Sequence, residues 1–460
     1  MTGPISFPND RLIQSAEELL ELFHMGSKTP DMWGVGLEYE RLGLDPATGR
    51  AISYSGEHGV ESALRDLAEI YSWEAERESG RIIGLSREGS LISLEPGGQV
   101  ELSARVHRGM ASLREELATY LRETAAISER HGFAWVPMGL QPVSRIEEIE
   151  WVPKGRYAIM GPYLRARGGL AHHMMKGTAG CQLNFDYGSE EDAAEKLRTS
   201  MGISSIVTAA FANSPLYDAR LSGFMTHRAH IWLDTDPSRC GLPEFAFRDD
   251  LSFRSYLDFA LDVPVIFVRR LDRWIALGGI PFRRFLEDGH RGIRATLADW
   301  VLHLTTIFTE VRLKSYLEVR GADSVGPTMV LALTALWKGI LYDSRALREA
   351  WRLVAALSLR ERLAFHREVC VHGPEARLGA ATARELASEL VGIARGGLKR
   401  AGTHEEAFLL PLEASLRGEG GCPAAALAGA WEDQLRNHPG ALAEEAARAD
   451  REFFSGISAP

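Results

Sequence analysis

The stretch Ser90-Leu-Ile-Ser-Leu-Glu-Pro-Gly-Gly-Gln-Val-Glu-Leu-Ser103 limits what this chain can fold into more than any other. At the two-residue period of a strand, Gln99, Glu101 and Ser103 share one side, and Val100 and Leu102 share the other. Pro96-Gly97-Gly98 between the two runs is turn chemistry. Ser93 and Glu95 give the first run a polar side of its own. The pattern predicts a hairpin with one apolar face and one face carrying two carboxylates.

Three distant segments repeat this division. Gly36-Leu-Glu-Tyr-Glu40 sets Glu38 and Glu40 against Leu37 and Tyr39. Cys181-Gln-Leu-Asn-Phe-Asp186 sets Gln182, Asn184 and Asp186 against Leu183 and Phe185. Tyr316-Leu-Glu-Val-Arg320 sets Glu318 and Arg320 against Leu317 and Val319. If the four share one antiparallel sheet, its polar face gathers about five carboxylates. Acids so crowded repel unless cations sit among them, and hard oxygen ligands select Mg²⁺ or Mn²⁺. Arg320, on the same face as Glu318, is suited to a phosphoryl group in transfer.

The chain has 460 residues, 45% hydrophobic and 25% charged, which allows a large core. A net charge of −10 argues against nucleic acid as a partner. Cys181, Cys240, Cys370 and Cys422 form no CxxC, so neither a disulfide framework nor a structural zinc site is expected. With no apolar leader between Met1 and Ser15, the reading is a cytoplasmic protein. The longest apolar runs, such as Val330 to Trp337, are too short to span a membrane.

Helical spacing predicts helices over 10–27, 58–71, 107–131, 189–212 and 296–308, with strands at 33–44 and within the 81–103 hairpin. Residues 133–180 and 217–250 read as loop-rich, and long loops of this kind tend to be functional. From about 345 onward, Ala, Leu, Arg and Glu predominate, which predicts a C-terminal helical region. No Walker A sequence is present, and Gly34-Val-Gly36 lacks the third glycine of a dinucleotide fingerprint. Lys154-Gly-Arg156-Tyr157 is a candidate basic loop for a nucleotide. His172 and His173 are adjacent and make a poor chelate. His227 and His230 have no third N or S ligand nearby, so they read as hydrogen-bonded histidines.

Several of these strings, together with Trp151-Val-Pro-Lys-Gly-Arg-Tyr-Ala-Ile-Met160, Phe211-Ala-Asn-Ser-Pro215, Arg228-Ala-His-Ile-Trp-Leu-Asp-Thr-Asp236, Leu261-Asp-Val-Pro264 and the run from Leu304 to Asp323, resemble the plant/proteobacterial type of glutamate–cysteine ligase. The resemblance implies an α+β, glutamine-synthetase-like catalytic fold, with a mainly antiparallel sheet lining a funnel. It places that catalytic domain in residues 1–345, with a helical region over 346–460 packed on it. It implies ATP, Mg²⁺ (or Mn²⁺), L-glutamate and L-cysteine as ligands, no nucleic-acid or membrane partner, and leaves a homodimer open.

The reaction it implies is activation of the glutamate side-chain carboxylate as an acyl phosphate, followed by attack of the cysteine amine to give γ-glutamylcysteine. Glu38, Glu40, Glu95, Glu101 and Glu318 would then hold the metal ions. Arg320 and Arg228 would steady the phosphoryl group. Gln182, Asn184, Lys154, Arg156 and Trp232 would contact substrate or nucleotide. Gly169-Leu-Ala-His-His-Met-Met-Lys-Gly-Thr-Ala-Gly180 departs from the family's usual Leu-Asp-Met-Met and Arg-Thr, near the expected pocket mouth. A related ligase with another acceptor amine, and a catalytically dead binding relative, are the competing readings.

Overall fold

A computed structural model describes residues 11–457 apart from 403 and 434. Residues 1–10, on which most of the reading of the N-terminus rests, lie outside the described residues.

Nine strands form one sheet: β1 (Val35–Leu44), β2 (Glu74–Glu78), β3 (Arg81–Arg87), β4 (Ser90–Leu94), β5 (Val100–Ser103), β6 (Ala134–Val136), β7 (Gly180–Phe185), β8 (Val311–Leu313) and β9 (Leu317–Asp323). Their order is β8-β9-β7-β1-β5-β4-β3-β2, with β6 paired to the far end of β1, and every pairing is antiparallel. Four segments scattered from residue 35 to residue 323 thus become adjacent, with β7 and β1 at the centre.

The register follows the alternation of the side chains. Leu37, Tyr39, Val100, Leu102, Leu183, Phe185, Leu317 and Val319 are buried in one apolar cluster beneath the sheet. Glu38, Glu40, Glu101 and Gln182 therefore have to emerge on the other face. The turn between β4 and β5 depends on its glycines. Gly98 has φ +85°, and a Cβ on Gly97 would run into the Lys176 carbonyl.

The helices cover the apolar face and its ends. Met110–His131 buries Leu113, Leu117 and Leu121 and ends on Gly132 in the left-handed region, as its sequence predicts. Glu190–Ala210 is capped by Ser189, whose side chain accepts the Asp192 N–H, and is buried along much of its length. Pro327–Leu341 is buried on nearly all sides and packs on Ala383–Ala401.

Helices from Ser344 to Ile457 complete the chain. Some share the main core through Leu347, Phe365, Val369 and Leu390. The last ones bury Trp431, Leu435, Leu442 and Ala446 against Leu42, Leu44 and Val136. Among the described residues no helix is long and apolar enough to cross a membrane.

Some expectations needed correction. The first helix is Glu18–Met25 rather than 10–27. An edge strand, Glu74–Glu78, is added to the predicted hairpin. It carries no apolar alternation because it is exposed along nearly its whole length. The stretch 133–180 contains two helices, Gly155–Arg165 and Ala171–Gly177, and 217–250 contains a third, His227–Leu233. Gly155, Gly161 and Pro162 depress the local helical signal, and tertiary packing overrides it.

Candidate active site

The polar face of the sheet opens into a hollow of about 1080 Å³, counted to its mouth. Glu38 and Glu40 come from β1, Glu95 from the turn, and Glu101 from β5. Glu40 stands directly across from Glu101, and Glu38 across from Gln182. Arg320, Arg228, Arg156, Gln182 and Trp232 line the same hollow. Of the twelve residues expected at the site, nine therefore meet there.

Burial and repulsion from neighbouring carboxylates raise the proton affinity of Glu40 and Glu101. Glu40 is pushed up to about 7, first by burial and then by Glu95. Glu101 is raised well above the usual carboxylate range, again by burial first and then by Glu38, Glu95 and Glu40. Few hydrogen bonds offset this. Glu40 accepts from the Gly180 N–H (2.5 Å) and the Gln182 Nε2 (2.9 Å). Glu101 accepts from the hydroxyls of Ser93 (3.2 Å) and Ser103 (2.9 Å).

Among the described residues no three His, Cys, Asp or Glu side chains already converge into a closed ligand set. Even so, four carboxylates sharing one hollow are the donor set that hard divalent cations take.

Three expected site residues have other roles. Glu318 is fully buried and does not line the hollow. The Arg312 fork grips both its oxygens (2.6 Å and 2.8 Å from Nη2), Lys314 Nζ lies 2.7 Å away, and Arg320 Nη1 also donates to it. Burial alone would raise its pKa, but these three cations hold it well below the usual range. The expectation of a metal ligand is corrected accordingly, because its oxygens are already taken by cations. Lys154 lies behind the hollow, where its amine donates to the Leu94 carbonyl (2.8 Å). Asn184 donates from Nδ2 to Glu38 (2.9 Å) rather than facing a substrate. Asp186, on the same strand side, is drawn away by Lys28 (2.6 Å) and the Gly34 N–H (2.8 Å).

The remaining side chains surround the acids with cations and aromatic rings. Arg320 donates from Nη1 to Gln182 as well as to Glu318. The register of β9 against β7 shifts between Val319 and Ala322, an irregularity that re-aims the strand where Arg320 sits. Arg228, near the start of its helix, donates from Nη2 to the Arg320 carbonyl (3.0 Å). Trp232 and Phe308 pack at 5.6 Å and form one wall.

Sequence reasoning missed Arg312 and Lys314, which also line the hollow. Their two-residue spacing ahead of Glu318 was the available signal. Arg312 is the register partner of Glu318 on the neighbouring strand.

The segment that departs from the family pattern is turned partly aside. His172 bonds the Gly161 carbonyl (3.0 Å), His173 the Tyr217 hydroxyl (3.1 Å), and Lys176 the Ile146 carbonyl (2.5 Å). Met174, Met175 and Thr178 face the hollow instead. All four cysteines are unpaired, and Cys181, Cys370 and Cys422 are buried.

The fold is shared with enzymes of amide-bond ligation. A solved glutamate–cysteine ligase from Francisella tularensis in complex with AMP aligns with a TM-score of 0.54 over 92% of this chain and 89% of that one, at 12% identity. A bifunctional glutathione synthetase from Pasteurella multocida aligns with a TM-score of 0.54 over 94% of this chain and 54% of that one, also at 12% identity. At such identity the likeness shows the fold alone.

The sequence carries the assignment further. The model of Glutamate-cysteine ligase family 2 matches residues 34–447. The chloroplastic glutamate–cysteine ligase of Medicago truncatula is 39% identical over 396 residues, 85% of this chain and 77% of that protein. That of Arabidopsis thaliana is 37% identical over 404 residues, 87% and 77% of the two chains. The chain belongs to glutamate–cysteine ligase family 2, and it is an enzyme of that family. The expected cytoplasmic location is withdrawn, since these relatives are named as chloroplastic and point away from the cytoplasm.

Proposed function

We propose that this chain joins the γ-carboxylate of L-glutamate to the amine of L-cysteine with consumption of ATP, giving γ-glutamylcysteine for glutathione synthesis. Family membership supports the reaction. The observation that carries the mechanism is the meeting of Glu38, Glu40, Glu95 and Glu101 with Arg320 and Arg228 in one hollow. Those four acids would hold Mg²⁺, which would supply positive charge against the triphosphate and the glutamate carboxylate.

A glutamate oxygen attacks the γ-phosphorus and ADP leaves. The amine nitrogen then attacks the acyl carbon, phosphate leaves, and the amine loses a proton. Arg320 and Arg228 provide donors toward the phosphoryl oxygens as charge builds there. Arg156, which donates to the Tyr157 hydroxyl (3.1 Å), adds a further fixed positive charge to the same hollow. Glu318 acts through the cations, since it holds Arg312, Lys314 and Arg320 as one charged cluster.

Residues 1–345 form the catalytic unit in this reading, with 346–460 as its helical support. A homodimer is part of the proposal and is read by light scattering. The deciding experiment is ADP release with product mass spectrometry, using ATP, Mg²⁺, glutamate and a panel of amines. ADP release and a γ-glutamylcysteine mass with cysteine support the reading. Turnover with another amine and none with cysteine, or no turnover at all, would overturn it. The same acids argue against a catalytically dead relative, since nothing in the packing requires an acidic face.

A further inference from the structure

Asp323 ends β9, is fully buried, and takes part in none of the steps above. Its Oδ2 accepts from the Asn213 N–H (2.8 Å) and the Ser214 hydroxyl (2.7 Å). Its Oδ1 accepts from the Thr226 hydroxyl (3.0 Å) and stands 3.9 Å from Arg228 Nη1. Two of these partners reach onward. The Ser214 oxygen accepts the backbone N–H of Arg228 (3.1 Å). Thr226 caps the helix His227–Leu233 by accepting the Ala229 N–H (3.3 Å). A single carboxylate therefore fixes the turn before the helix and the cap of the helix, and places its charge in ion-pair range of the guanidinium.

A buried carboxylate is costly unless its acceptors are filled, and here every partner is a donor. The carbonyls of Arg320 and Gly321 accept from Arg228 Nη2 and Nη1, at 3.0 Å and 3.3 Å. Arg228 is thus hydrogen-bonded to the backbone of β9, with the carboxylate that ends that strand in ion-pair range at 3.9 Å.

We propose that Asp323 is a positioning residue for the ligase reaction, setting both the backbone and the guanidinium of Arg228 where the phosphoryl group transfers. This rests on the proposed role of Arg228. Asn at position 323 would keep the shape but present an amide N–H to one pair of donors.

The test is a double-mutant cycle on turnover: the parent, Asp323→Asn, Arg228→Lys and both together. Asp323→Asn should lower kcat on the order of tenfold or more, with KM for glutamate moving far less. The double variant should be no slower than Arg228→Lys alone, because the aspartate acts through the arginine. Additive losses, or full turnover in Asp323→Asn, overturn the proposal. If Asp323→Asn does not fold, Ser214→Ala removes the bridging hydroxyl. It should cost less, and again should not add to Arg228→Lys; additivity there overturns the proposal equally. Parental turnover in Arg228→Lys alone would sink the role of Arg228 and this inference with it. A slow Arg228→Lys with additive Asp323→Asn would sink this inference only.

Discussion

Glu40 and Glu101 lie directly opposite each other on neighbouring antiparallel strands, both facing the hollow. Like charges so placed destabilise a sheet. The strands nevertheless keep this register, because a one-residue slip would turn Leu37, Tyr39, Val100 and Leu102 out of the core. The apolar face thus holds the acids together in spite of their repulsion.

Removing one acid should therefore stabilise the metal-free protein while ending its chemistry. Glu101→Gln is expected to raise the metal-free melting temperature by about one degree, the equivalent of about 1 kcal/mol in a chain of this length, and to reduce turnover at least a hundredfold. Calorimetry with EDTA and an ADP-release assay read both quantities. A lower melting temperature together with retained turnover would reject the repulsive acid cluster.

Glu318→Gln should behave in the opposite way. It leaves Arg312, Lys314 and Arg320 around a neutral amide in a buried place, which costs about 3–5 kcal/mol. Both melting temperature and turnover should fall, and added Mg²⁺ should not restore the melting temperature. An unchanged melting temperature would show that the three cations do not depend on this carboxylate.

Lys154 gives a pH dependence. Burial, and next the Arg156 charge, lower its pKa from 10.5 to about 8. Between these two values the unfolded chain binds more protons than the folded one, so the Lys154 contribution to stability rises with pH across that window. Lys154→Met should therefore be more stable relative to the parent below pH 8 than above pH 10.5, by about 3 kcal/mol at most. Melting curves of both proteins across the window give the difference, and one that does not change with pH would remove the argument.

Gly97→Ala tests the close approach at the turn. A methyl group there meets the Lys176 carbonyl, so the turn carrying Glu95 has to shift. The expected outcome is a loss of roughly 1–3 kcal/mol, with turnover falling more than the loss of folded protein explains. Parental turnover would mean that the turn can move without disturbing Glu95.

Much of the acid face was legible because alternation at a period of two is local information. Glu38, Glu40 and Glu101 could be assigned to one side of their strands, and Glu95 to the turn beside them, without knowing what lay next to them. Glu318 was misjudged for the complementary reason. Its face was read correctly, but the partners that take up its oxygens, Arg312 and Lys314, lie six and four residues before it, and alternation within its own strand does not show that the pairing of β8 with β9 brings them onto it. Lys154 was misplaced because a basic residue near a nucleotide loop looks the same in sequence whether its amine faces the ligand or, as here, a backbone carbonyl.

By itself, the sequence determined which residues share a strand face, where the chain turns helical toward its end, and, through its long matching strings, the family. Only the tertiary structure decided which of the charged groups meet in the hollow and which are already paired. Burial and counter-charge depend on neighbours that strand alternation does not name, whether 6 residues away, as Arg312 is from Glu318, or 140, as Gly180 is from Glu40, and the chain acquires them only when the sheet closes.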